Sequence, residues 1–247
     1  MVDLKETDPV VSEMVRSIVE KHLTPLDRFI YGFADLSDVL DPQFGDFRFG
    51  ISIGQKLDYR IVDAITNGPT PEYYAHYRKT NQDLSVLSGN IAQELERNGM
   101  RTLCVEPSIS TDKLDSDYSL TLRTRLSHKM VATRAGLGWI GKTALFISKE
   151  FGPRLRLVTI LTSTSLENSR TPVKMSKCGK CNACVEECPA EAATGQLWDT
   201  TMDRDEFFDA HKCRAQCKAF GERLLGAEAR ICGICVSVCP IGHNKRG

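Results

Sequence analysis

The sequence predicts an α+β fold in which a mixed helix-and-strand domain is followed by a compact cysteine-rich module. Three observations predict it. Up to about residue 170, segments with helical apolar spacing alternate with short β-branched and aromatic runs. Around "STSLENSRTPV" the composition changes and long periodic elements cease. Nine of the ten cysteines then fall between Cys178 and Cys239. The expected domains are therefore residues 1–170 and 171–247.

The elements follow in order. "PVVSEMVRSIVEKH" spaces its apolar residues as one helix face. "DRFIYGFADL" and "FRFGISIGQKL" are apolar, aromatic-rich runs bounded by Gly, Pro and Asp, and they predict strands. "PEYYAHYRKTNQDLSVLSGNIAQELERNGM" opens on Pro and closes on Asn-Gly, the start and stop signals of a long helix. "RTLCVEP" predicts a strand, with Cys104 a buried small hydrophobe. Residues 106–120 read as a polar loop. "RTRLSHKMVATRA" predicts a helix, and "ALFIS" and "RLRLVTILT" predict strands joined by the turn "KEFGP".

Lys+Arg and Asp+Glu both number 32, so no net field draws the chain to nucleic acid or an anionic membrane. The N-terminus lacks the basic start and apolar stretch of a signal peptide. No apolar run approaches the roughly 20 residues that span a bilayer. A cytoplasmic protein is expected. Ten cysteines in that setting point to metal or redox chemistry rather than disulfides.

"GLGWIGKT", Gly136 to Thr143, fits both G-x-x-x-x-G-K-T and G-x-G-x-x-G. A phosphate loop leaves a strand and enters a helix, whose first N–H groups hold the anion. Here a helix leads in and a β-rich segment leads out. The reading is therefore a helix-to-strand turn with Lys142 facing solvent.

The cysteines form a ladder. Cys178, Cys181, Cys184 and Cys188 fall in C-x2-C-x2-C-x3-C-P, and Cys232, Cys235 and Cys239 in C-x2-C-x3-C-P. In two-cluster ferredoxins the cysteine before Pro ligates the other cluster. Cys178, Cys181, Cys184 and Cys239 are thereby assigned to one [4Fe–4S] cluster, and Cys188, Cys232 and Cys235 to the second. Cys213 is favoured as the eighth ligand, with Cys217 the alternative. Zinc knuckles share C-x2-C but do not require the x3-C-P tail, which occurs twice here.

The stretch "SHKMVATRAGLGWIGKTALFISKEFGPRLRLVTILT" followed by this ladder resembles the epoxyqueuosine reductase family, to which reductive dehalogenases are more distantly related. The resemblance is strong from about Leu126 to Leu161 and through the ladder, and weak before residue 100. It implies a nitroreductase-like α/β corrinoid-binding domain followed by a bacterial-ferredoxin-like double [4Fe–4S] module. It further implies a base-off cobalamin, with Gly136, Leu137, Gly138, Trp139 and Lys129 as cofactor contacts. No D-x-H-x-x-G motif supplies a lower histidine ligand, in keeping with base-off binding; His211 in "DAHKCR" reads as a surface or supporting residue.

Two departures shape the expected function. The family carries Asp-x-x-Pro-x-x-Glu-Arg upstream of the glycine turn, and its acid would fall near Leu122 or Arg123, where this chain has none. The family usually continues into tRNA-binding helical repeats, whereas this sequence stops at Gly247. The expected catalytic replacements are His128, an imidazole titrating near neutral pH, and Tyr118, with Asp115 and Asp117 as weaker candidates. Arg123, Arg125, Lys129 and Arg134 read as one basic helical face, solvated or set against an anionic group.

The expected function is a corrinoid- and iron–sulfur-dependent oxidoreductase whose substrate is not tRNA. Reduced ferredoxin or flavodoxin is the expected electron donor, and a small molecule or a corrinoid protein the acceptor, with no membrane or nucleic-acid partner. The alternatives are an activating protein that reduces a partner's corrinoid, and a flavin-dependent reductase.

Overall fold

The computed structural model describes residues 8–108 and 116–242. It divides into two compact units, each assembled from separated stretches of chain. The first gathers residues 1–55, 81–137 and 156–173; the second gathers 56–80, 138–155 and 174–247. The last crossing of the chain from the first unit to the second lies at 173/174. Two earlier segments nevertheless join the cysteine-rich part.

Helix α1 (Pro9–His22) starts where Asp8 accepts from the N–H groups of Val10 and Val11, with Pro9 in the first turn. Strands β1 (Phe29–Asp35) and β2 (Phe49–Lys56) pair antiparallel, with Phe33 opposite Ile51. Helix α2 (Tyr59–Asp63) is short, and α3 (Pro71–Arg97) is the long helix. Strand β3 (Thr102–Val105) precedes α4 (Ser116–Thr121) and α5 (His128–Arg134). Strands β4 (Gly138–Ile140), β5 (Phe146–Ser148) and β6 (Leu155–Thr162) follow. The cysteine-rich part adds α6 (Ala183–Glu186), α7 (Arg204–Phe207), α8 (Ala210–Phe220) and α9 (Ile234–Ser237).

In the first unit the sheet runs β1-β2-β6-β3. Alternate residues on one face, Phe33, Ile51, Ile53, Val158 and Ile160, pack with Val15, Ile18 and Val19 of α1 and Leu84, Ile91 and Leu95 of α3. This apolar layer is the main driving force for that unit. Helix α5 covers the opposite face, and two glycines let it approach. A Cβ on Gly50 would stand 2.9 Å from Val131 Cγ1, and one on Gly32 would stand 3.1 Å from the Ala135 carbonyl.

Helix α4 forms at the end of the segment read as a polar loop, and three further local expectations change. The helix through "RTRLSHKMVATRA" begins only at His128, because the Ser127 hydroxyl accepts from the Met130 N–H and fixes the start there. Arg123 and Arg125 therefore lie outside it, and the four cations do not form one helical face; Arg125 pairs with Asp41 and Arg134 with Asp38. Cys104 is exposed rather than buried, on β3 at one edge of the sheet.

In the second unit β4 and β5 form a two-stranded ribbon. Its core combines Leu57, Val62 and Ile65 with Tyr73 of α3, Phe220 of α8, and Ile234 and Val236 of α9. Cys232 and Cys235 pack against that core. Among the described residues no helix is long and apolar enough to cross a membrane.

Candidate metal centre

The thiols of the two cysteine stretches lie in one another's electrostatic reach. The Cys184 thiol feels Cys178 and Cys181, and the Cys239 thiol feels Cys184 and Cys178. The Cys232 thiol feels Cys213 and Cys188, and Cys235 is surrounded by Cys232, Cys213, Cys184 and Cys188. Cys184 lies on the single turn α6 and Cys235 on the single turn α9, and the other cysteines of each ladder flank those turns. Gly233 turns the second loop at φ 92°, and a Cβ there would meet Ile65 and Tyr73 at 2.7 Å.

Among the described residues no three His, Cys, Asp or Glu side chains close on a point that would hold a single metal ion. The sets are neighbourhoods of thiols, with the chemistry of soft ligands suited to iron–sulfur clusters. Burial pushes the Cys232 and Cys239 thiols up to about 11, and Cys235 well above the ordinary thiol range. Cys217 is raised first by its hydrogen bond with Cys213 and then by burial.

The glycine turn supplies polar neighbours to the first set. Helix α5 leads into it and β4 leads out, the reverse of a phosphate loop. The Trp139 indole N–H donates to Cys178 Sγ at 3.3 Å. The Thr143 side chain hydrogen-bonds Cys184. Lys142, expected in solvent, is only 4% exposed, and its ammonium donates to Asn182 Oδ1 at 2.7 Å. Asn182 lies between Cys181 and Cys184. From the other side, buried Arg154 donates to the carbonyl oxygens of Ser237, Cys239 and Ile241 and pairs with Asp63.

Among the other expected site residues, Gly136 and Leu137 belong to the first unit, whereas Gly138 and Trp139 belong to the second. Gly136 has φ 71°, and a Cβ there would stand 2.8 Å from the Thr171 carbonyl. A Cβ on Gly138 would fall 2.0 Å from the Ile147 carbonyl across the ribbon. Both glycines are required by packing. Lys129 is half-buried on α5 and Tyr118 half-buried on α4, while Asp117 is exposed and Asp115 lies outside the described residues.

His128 departs from expectation. Its Nδ1 is 2.8 Å from the Thr159 hydroxyl and its Nε2 is 2.9 Å from the Glu106 carbonyl. A carbonyl only accepts, so Nε2 carries the proton and Nδ1 accepts from Thr159. Burial pushes its pKa down to about 4, so the ring is neutral near pH 7 with its one N–H committed. An imidazole poised at neutral pH is not what the fold provides.

Sequence reasoning missed Thr143, Arg154 and Asn182. Thr143 could have been noticed as the last residue of the glycine stretch. Arg154 carries no signal, because its partners lie more than eighty positions away.

With that geometry established, residues 177–242 match the family described as the 4Fe-4S double cluster binding domain. Over 119 residues the chain is 33% identical to the epoxyqueuosine reductase of Synechocystis sp., covering 47% of this chain and 39% of that protein. Over 144 residues it is 32% identical to that of Lactococcus garvieae, covering 54% and 37%. The matches thus span less than two fifths of these relatives' length. A solved epoxyqueuosine reductase bound to an epoxyqueuosine-modified tRNA-Tyr stem loop superposes with TM-score 0.60 at 16% identity, covering 95% of this chain and 67% of that one. A reductive dehalogenase whose structure suggested a mechanism for B12-dependent dehalogenation gives 0.61 at 14% identity, covering 85% and 29%. The resemblance read from the sequence is present, and the α+β fold with its double-cluster module is the fold of these proteins.

Proposed function

We propose that this chain is an oxidoreductase that uses two [4Fe–4S] clusters and a base-off corrinoid to reduce a substrate other than tRNA, drawing electrons from reduced ferredoxin or flavodoxin. The observation that carries the reading is a cysteine ladder that matches the 4Fe-4S double cluster binding domain, in a chain similar to epoxyqueuosine reductases. When bound, the clusters supply single electrons and the corrinoid a strongly reducing cobalt.

The chain's own residues divide the work. Cys178, Cys181, Cys184 and Cys239 hold one cluster, and Cys188, Cys213, Cys232 and Cys235 the other. Arg154 and the β4–β5 ribbon keep the ligand loops in place. Base-off binding is supported by the sequence, which carries no D-x-H-x-x-G motif. Gly136, Leu137, Gly138, Trp139 and Lys129 remain the proposed corrinoid contacts, and Tyr118 the proposed proton donor. A substrate other than tRNA is supported by the pairing of Arg101, Arg125 and Arg134 with Asp46, Asp41 and Asp38, which leaves these cations less available to phosphates.

The commitment of both His128 nitrogens favours a second reading, in which the chain reduces a partner's corrinoid and performs no proton-coupled chemistry of its own. One experiment separates the two. The anaerobic protein is loaded with iron and sulfide, titrated with hydroxocobalamin, desalted and analysed. About eight irons and one cobalt per chain with a base-off spectrum support the reductase. Iron at that level without cobalt supports the activator, and flavin absorption in the purified protein would replace both with a flavin reductase.

A further inference from the structure

The two thiol sets do not have equivalent surroundings. The set Cys178, Cys181, Cys184 and Cys239 receives the Trp139 N–H on one sulfur and the Thr143 hydroxyl on another. Once Cys184 is a thiolate it can only accept, so the Thr143 hydroxyl donates. Lys142 adds a buried ammonium whose acceptor is the amide oxygen of Asn182, inside the ligand loop. Among the described residues no carboxylate pairs with it. A buried cation without a counter-ion is costly unless an anion stands nearby, and a thiolate-ligated cluster is an anion that becomes more negative on reduction. In the second set Cys232 receives the Ile234 N–H and Cys213 shares a hydrogen bond with Cys217, while Cys232 and Cys235 pack against the apolar core of Leu57, Ile65, Phe220 and Ile231, a medium that opposes added negative charge.

Hydrogen bonds to sulfur, net charge and burial are the quantities that set cluster potentials. We infer that Trp139, Lys142 and Thr143, carried by one glycine turn, form a donor shell that raises the potential of the Cys178/Cys181/Cys184/Cys239 cluster above that of its neighbour. The inference rests on the two-cluster reading above. It gives the turn that resembles a phosphate loop a definite role, which is to stabilise the extra electron of a reduced cluster. That electron comes from an external one-electron reductant, which is oxidised; no bond is made or broken and no proton moves.

The test is a redox titration with dithionite, followed by electron paramagnetic resonance, on the reconstituted full-length protein. The wild type is expected to show two separated one-electron waves. Trp139→Phe and Thr143→Val each remove one donor with little change of shape, and Lys142→Met removes the charge. Each is expected to move the upper wave to a more negative potential and leave the lower wave in place. Iron analysis accompanies every titration. Unmoved waves, or movement of the lower wave, at about eight irons per chain overturn the inference alone. Failure of the wild type to hold two clusters overturns the two-cluster reading and the inference with it. If Trp139→Phe loses iron, the nearly isosteric Thr143→Val decides by itself.

Discussion

Arg154 donates to the carbonyl oxygen of Cys239 at 2.9 Å, so a buried guanidinium holds the backbone of a proposed cluster ligand. The same side chain takes the carbonyls of Ser237 and Ile241, where the single turn of α9 ends with acceptors unsatisfied within the helix. Arginine suits this place because its planar fork serves several acceptors at fixed angles, which a lysine ammonium does not. Arg154→Met leaves those carbonyls and Asp63 without it, at a cost of about 3 kcal/mol. The expected result is a Tm about 6–12 °C lower, with loss of iron on desalting. Arg154→Lys should fall between Met and wild type. Calorimetry and iron analysis of the three proteins check this.

His128 gives the pH dependence. Its pKa in the fold, about 4, lies below the ordinary 6.5, chiefly through burial. Between those values the unfolded chain binds the proton and the folded chain does not, so stability rises with pH across that window. The contribution is fully present above about 6.5 and is lost as pH falls toward 4, with a span of about 3 kcal/mol. His128→Gln keeps a polar side chain without the titration. Thermal melts from pH 7 to pH 4.5 should show a steeper fall for the wild type than for the variant. Parallel curves would mean that His128 is not the group responsible.

What was legible in the sequence is what local chemistry decides. Helix α3 was readable from Pro71 to Arg97 because its start and stop signals sit in the chain itself. The double-cluster character of the ladder was readable because cluster ligation demands short spacings that few other sites use. The start of α5 was misplaced because Leu126 continues its apolar spacing, whereas the Ser127 side chain ends the helix one residue later. Lys142 was misplaced for a nonlocal reason, since its acceptor Asn182 lies forty positions on. Cys104 looked like core because strand composition does not announce which strand takes the sheet edge. The interleaving of the two units was invisible for the same reason, as segments 56–80 and 138–155 join the cysteine-rich part through tertiary packing alone.

Two glycines should respond in opposite directions to the same substitution. An added Cβ at Gly138 would sit 2.0 Å from the Ile147 carbonyl, a backbone atom of the paired strand that cannot move without breaking the ribbon. Gly138→Ala should therefore lower the Tm by several degrees and weaken iron retention. Gly89 lies exposed within α3 with nothing inside 4 Å of the added atom. There alanine improves helix propensity and restricts the unfolded chain, so Gly89→Ala should gain about 0.5–1 kcal/mol, or about 1–4 °C. Melting both variants beside the wild type checks the pair.

The choice between Cys213 and Cys217 rests on their relation within α8. They stand one helical turn apart and share a hydrogen bond, with Cys217 buried and Cys213 partly exposed. That bond and burial push the Cys217 thiol up, which favours Cys217 as the protonated member of the pair. The thiolate is the form that ligates iron. Cys232 and Cys235 both feel Cys213, alongside Cys188, and Cys217 in turn feels Cys232 and Cys235, so the irons retained by each variant decide between them. Cys213→Ser should leave about four irons per chain, whereas Cys217→Ser should retain about eight. The opposite pattern would make Cys217 the ligand and Cys213 its partner in the hydrogen bond. Loss of iron in both variants would mean that the second cluster needs the Cys217 S–H as well as the Cys213 thiolate.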